Sequence, residues 1–178
     1  VTRLAVDCVV NAANSRCLGG GGVDGAIHTA AGHFLRDECL LLDGCPTGSA
    51  NVTHAYDLPA SFVIHAVGPK GYKPALLKAT YVSVLAAASR LNAKSLVSSL
   101  FSFALQCLML LAVEGLVSIS SGIFGFPAGA AAEVVAETLR TALSTTPAAQ
   151  RLSAVICLFS ACDRKAFLAA LPKHFPTH

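Results

Sequence analysis

Short apolar runs alternate along this chain with longer amphipathic ones. Strand-like runs bounded by turn residues fall at Asp7–Ala12, Asn51–Tyr56, Phe62–Ala66, Leu116–Ser120 and Ala154–Phe159. Helical spacing marks Gly22–Ala31, Phe34–Leu42, Pro74–Leu91, Ala128–Leu143 and Asp163–Leu171. In the fourth of these, Ala131, Val134, Val135, Thr138, Leu139 and Ala142 share one side, and Glu133, Glu137 and Arg140 take the other. Asp163 is placed to cap the last helix by accepting from its first-turn amides. Strands alternating with helices predict an α/β domain with a largely parallel or mixed sheet covered on both faces. Such sheets take ligands at the carboxyl ends of their strands. Asn11 and Asn14 fall at one such end.

Ser95 to Val113 breaks the pattern, because it carries no charge at all. Its length reaches that of a membrane span. A span there would put two halves of one site on opposite sides of a bilayer. The stretch therefore reads as a buried strand running into an inserted apolar segment, about Ser98–Gly115, with an error in the gene model as the other explanation.

The chemistry concentrates after the first strand. Asn11-Ala-Ala-Asn14 leads into Cys17-Leu18, four glycines (Gly19, Gly20, Gly21 and Gly22), Val23, Asp24 and, one helical turn on, His28. Strand, glycine loop and helix in that order make an anion cradle: glycines let backbone N–H groups approach closely, and the helix aims its free amides and positive end at the same place. Asn14 offers a donor and an acceptor matched to vicinal hydroxyls, or a simple cap for the turn. Asp24 is a candidate proton acceptor, or an early helical acid favoured by the dipole. His28 shares its face. A second loop, Ser120-Ser121-Gly122-Ile123-Phe124-Gly125-Phe126, lies at another strand-to-helix junction and could clamp the same anion, with two aromatic rings as walls. Cys17 could be a nucleophile only with a base beside it. His65, at the end of a strand, reads as structural.

Composition narrows the field. Hydrophobic residues are 54% and charged ones 13% of 178, which excludes disorder and suits a single domain over residues 1–178. A net charge of +3 with scattered bases gives no nucleic-acid footprint. Seven cysteines form no C-x-x-C pair and no Cys/His metal spacing. With no secretory signal in view, they read as free thiols of an intracellular protein, in cytoplasm, nucleus or mitochondrion.

The set Val9–Ser15, Gly19–Gly32, Cys45-Pro-Thr-Gly48, Tyr56–Ala60, Val63–Pro69 and Ser120–Pro127 resembles the macrodomain family, most closely the branch that removes mono-ADP-ribose from proteins and deacetylates O-acetyl-ADP-ribose. The resemblance implies a three-layer α/β/α fold, with ADP-ribose as ligand and ADP-ribosylated proteins or O-acetyl-ADP-ribose as partners. It implies a monomer off the membrane, and no metal or cofactor. It makes Asn14 and Asp24 catalytic, with His28 in support. Ligand contacts would come from Asn11, Gly19 to Val23, and Ser120 to Phe126. Family members carry a Gly-Asp-Ile-Thr segment whose Asp reads the adenine; here only Val1-Thr2 stands there, so an N-terminally truncated member is expected. Three functions compete: a hydrolase, a reader that binds ADP-ribose without cleaving it, and a fragment that does neither.

Overall fold

Alternation along β1 (Val6–Ala12) sorts the core into two halves. The structure is a computed structural model describing residues 5–98, 119, 124–145, 153–156 and 161–176. The remaining strands are β2 (Ala50–His54), β3 (Ala60–Ala66), β4 (Ser95–Ser98) and β5 (Ser153–Ile156). Their order is β2-β3-β1-β4-β5, with β2 antiparallel to β3 and every other pair parallel. The helices are α1 (Gly22–Ala31), α2 (His33–Leu41), α3 (Pro74–Arg90), α4 (Ala128–Thr145) and α5 (Ala161–His174).

Cys8 and Val10 point one way, joining Ile64 and Ala66 beneath Leu77 and Tyr81 of α3, Val135 of α4 and Phe167 of α5. Val9 points the other way, with Val63 and Val67, against Ile27 of α1 and Leu35 and Cys39 of α2. Two apolar clusters on opposite faces of one sheet make three layers. Each fully buried Leu, Ile or Phe contributes about 1.5–3 kcal/mol. One polar tie supports the first cluster. The Ile119 N–H donates to the buried Tyr81 hydroxyl at 2.8 Å.

Local chemistry sets the helix ends. Pro74 opens α3, where its missing N–H costs nothing. Gly32 separates α1 from α2 at φ +79°, and a Cβ there would lie 2.6 Å from Asp57 Oδ2. One expectation shifts. Asp163 is the third residue of α5 and not its cap, because the helix starts two residues earlier; its carboxylate still sits in the favourable first turn. A strand begins at Ser95, where the uncharged stretch begins, and pairs between β1 and β5. The predicted Leu116–Ser120 strand, Ile119 apart, and the apolar segment beyond Ser98 lie outside the described residues. Among the described residues no helix is long and apolar enough to cross a membrane.

Candidate functional site

Asn11 follows Val9 by two along β1 and so enters the α1/α2 side of the sheet. Its register partner on β3 is His65. Both are fully buried. Two polar groups in an apolar layer need partners, and a continuous chain supplies them to all but Asn11 Oδ1. Asn11 Nδ2 lies 3.1 Å from His65 Nδ1 and donates to Asp24 Oδ1 at 2.8 Å. Because an amide nitrogen only donates, His65 Nδ1 accepts; the ring proton is then on Nε2, 2.9 Å from Thr53 Oγ1. On the far side Asn14 Nδ2 donates to Asp24 Oδ2 at 3.1 Å and to the Gly19 carbonyl at 2.9 Å. Two carboxamides therefore hold the two oxygens of one carboxylate.

Electrostatics follow from that burial. Desolvation pushes Asp24 above the usual carboxylate range; the Asn11 bond, the His28 charge and the Asn14 bond pull it partly back. Burial also lowers His28, against the attraction of Asp24. His28 Nε2 stands 3.5 Å from Asp24 Oδ1, close enough for charge pairing, yet it is buried and makes no hydrogen bond. Burial lowers His65 to about 3, so it is neutral at physiological pH.

The glycine loop lies over this pair. Asn14 Oδ1 accepts from the Arg16 N–H at 3.0 Å, so the turn-capping role and the Asp24-holding role coexist in one side chain. A Cβ on Gly20 would sit 3.3 Å from Asp24 Oδ2. One on Gly25 would sit 2.3 Å from the Gly20 carbonyl oxygen, so α1 approaches the loop at a distance only glycine permits. Gly21 and Gly22 face open space, and α1 starts with no side-chain cap. Its first-turn amides are left for an anion. Val23 is buried beneath them. Cys45 N–H donates to the Ser15 carbonyl at 2.8 Å and supports the loop from behind. The neighbouring Cys45 thiol and burial push the Cys17 thiol up, its Sγ donates to the Asn14 carbonyl at 3.6 Å and it has no exposed surface, so it is not set up as a nucleophile.

Of the second loop, Phe124, Gly125 and Phe126 are described; Ser120, Ser121, Gly122 and Ile123 lie outside the described residues. Asn11 reaches no surface and spends its amide on Asp24 and His65, so it holds the carboxylate from within the sheet. The Phe126 side chain belongs to the α3/α4 core at 2% exposure, so only the Phe124 ring is partly open. The strap after β3 went unread as part of the site. The Gly71 N–H donates to the Phe124 carbonyl at 2.7 Å, and Lys70 Nζ lies 5.6 Å from the Phe124 ring centroid. Its Gly-Pro-Lys-Gly turn was visible in the sequence; Thr53 carried no signal, because its role depends on strand register.

The fold and this loop geometry define an α/β/α domain of the class that takes anionic ligands at the carboxyl edge of its sheet. The Macro domain family model matches residues 10–135, and the chain belongs to that family. ADP-ribose glycohydrolase MACROD1 of Bos taurus is 43% identical over 99% of this chain and 50% of its own length. The chain thus spans about half of that mammalian relative. A macro domain-containing protein of Ralstonia nicotianae is 40% identical over 96% of this chain and 90% of its own. The Trypanosoma brucei macrodomain, solved in complex with ADP-ribose, superposes with a TM-score of 0.78 at 35% identity, covering 93% of this chain and 63% of that one.

Proposed function

We propose that this domain binds ADP-ribose and hydrolyses the ester that joins mono-ADP-ribose to acidic side chains of proteins, or the ester of O-acetyl-ADP-ribose. The observation that carries the reading is Asp24, a carboxylate gripped by Asn11 and Asn14 beside an uncapped glycine-rich helix start. The names of the relatives support it: a glycohydrolase acting on ADP-ribose, and a neighbour solved with that ligand.

In this reading the diphosphate lies on the α1 amides and Gly19 to Val23, and Ser120 to Phe126 are the further ligand contacts expected from the sequence. Three or four charge-assisted hydrogen bonds at about 1.5–3 kcal/mol each suffice for roughly micromolar affinity. Asn14 orients the distal ribose. A water attacks the ester carbon, its proton passing to Asp24 or to a substrate phosphate, and the released ribose hydroxyl is reprotonated. Asp24 suits the task because burial raises its basicity. His28 stands beside the carboxylate in support. The described free thiols accord with a reducing, intracellular compartment.

The second reading, a reader module, draws on the same side chains. Asn14 already uses Nδ2 twice and Oδ1 once, leaving its amide little freedom to handle a reacting sugar. One preparation decides: calorimetric titration with ADP-ribose, followed by release of ADP-ribose from a mono-ADP-ribosylated protein. Binding with turnover that disappears in Asp24→Ala supports the hydrolase. Binding without turnover supports the reader, and neither result leaves the fragment that does nothing.

A further inference from the structure

Among the described residues one cluster with ligating chemistry stands behind the Asp24–Asn14 pair. His28 on α1, Cys39 on α2 and His65 on β3 each offer a donor atom, all within 4.8 Å of one another. Cys39 Sγ is 3.6 Å from His65 Nε2. Zinc takes imidazole nitrogen at about 2.0–2.1 Å and thiolate at about 2.3 Å, so tetrahedral donors stand roughly 3.5 Å apart. The Cys39–His65 spacing meets that, and His28 needs a shift on the order of 1 Å, within the reach of a side-chain torsion. Core packing explains a buried cysteine. It does not explain two buried atoms without partners in the same place, His28 Nε2 and Asn11 Oδ1.

We propose that His28, Cys39 and His65 form an inhibitory site for a zinc-class ion, with Asp24 as the group that closes its fourth position. Two imidazoles and one thiolate are a borderline-soft set that selects zinc over magnesium or calcium. On binding, the Cys39 thiol loses its proton to solvent and the His65 ring proton moves from Nε2 to Nδ1. Asn11 then turns its amide so that Oδ1 accepts that proton, which gives the orphaned oxygen a partner. The turn withdraws Nδ2 from Asp24 Oδ1 and frees the carboxylate, 3.5 Å from His28 Nε2, to reach the ion. Gly19 lets the loop lie against the His28 ring, since a Cβ there would press to 3.2 Å on it. Inhibition rests on the hydrolase reading; ion binding does not.

The test uses the reduced whole chain. Cobalt(II) is the optical probe, and zinc is measured against a chromophoric chelator. The expected result is a 1:1 cobalt complex with a thiolate-to-cobalt charge-transfer band, abolished in Cys39→Ala and kept in Cys45→Ala. Zinc affinity should fall at least ten-fold in Cys39→Ala. Cys39→Val, which keeps more of the core volume, repeats the measurement should the alanine variant unfold. Zinc should inhibit ester hydrolysis by the wild type, reversibly with a chelator, while Cys39→Val keeps basal turnover and needs at least ten-fold more zinc. A band that survives both Cys39 variants, or no 1:1 complex at all, overturns the site. A cobalt band without hydrolase activity leaves the site standing and removes the hydrolase reading instead.

Discussion

Asn11 and His65 face each other in register across β1 and β3, and the single Asn11 amide nitrogen serves both His65 Nδ1 and Asp24 Oδ1. One donor group thus links the sheet interior to the proposed base. Asn11→Ala leaves Asp24 Oδ1 buried without its donor, a loss of about 1–3 kcal/mol in stability. Without that bond, Asp24 should titrate higher. The expected outcome is a kcat at least ten-fold lower, with the acidic limb of the pH–rate profile moved to higher pH, while ADP-ribose affinity measured by calorimetry changes little.

Asp24 itself separates chemistry from binding. Asp24→Asn keeps size but cannot accept the proton of water, and it replaces one of the two acceptor oxygens with a donor facing a carboxamide N–H. Loss of a general base costs about 100- to 10,000-fold in rate, so kcat should fall in that range with the ADP-ribose Kd within a few-fold of wild type. In the wild type, turnover should rise with pH through a limb above the ordinary carboxylate range, because burial raises Asp24 and only its deprotonated form accepts. An equal loss in kcat and in affinity would assign Asp24 to binding.

His65 makes the fold acid-sensitive. Its folded pKa, about 3, lies below the ordinary value of 6.5, so the unfolded chain takes up the proton first. The stability it preserves is present above the unfolded value and is lost as pH falls from there toward 3. Between neutral pH and pH 4 the loss is on the order of 3 kcal/mol. Asp24 acts in the opposite sense, since its raised pKa lets the folded state gain a proton on acidification. Denaturant melts at several pH values should show a shallower decline in His65→Gln than in the wild type; parallel slopes would exclude His65 as the source.

Gly25 carries the contact between α1 and the glycine loop. Gly25→Ala places a methyl 2.3 Å from the Gly20 carbonyl and must push the loop aside. ADP-ribose binding should weaken ten-fold or more. Gly129→Ala in α4, where a Cβ meets nothing within 4 Å, serves as the control; it should leave binding unchanged and add about 0.5–1 kcal/mol of stability.

How much of this was legible depended on whether a feature is local. The glycine loop, Asp24 and the start of α1 lie within a few residues of one another, and turn chemistry and helix polarity reveal them directly. Asn11 was visible as a polar residue at a strand end, but its role was not, because that role is set by facing His65 across 54 residues. Thr53 joins the same chain through β2–β3 pairing, and Cys39 stands 11 and 26 residues from its cluster partners, far from any recognisable metal spacing. β4 was legible as the opening of the uncharged stretch, which reads as a buried strand running into an apolar segment from about Ser98. Asp163 lies two residues inside the helix start, because an acid in the first turn and an acid at the cap leave the same mark in the sequence.

The alternation of β1 has a practical corollary. Cys8 and Val10 look toward α3, α4 and α5, whereas Asn11 works on the opposite side. Packing of the α3/α4/α5 cluster and the grip on Asp24 are therefore carried by different residues of the same short strand. An engineer could repack the lower storey and leave the carboxylate's setting untouched.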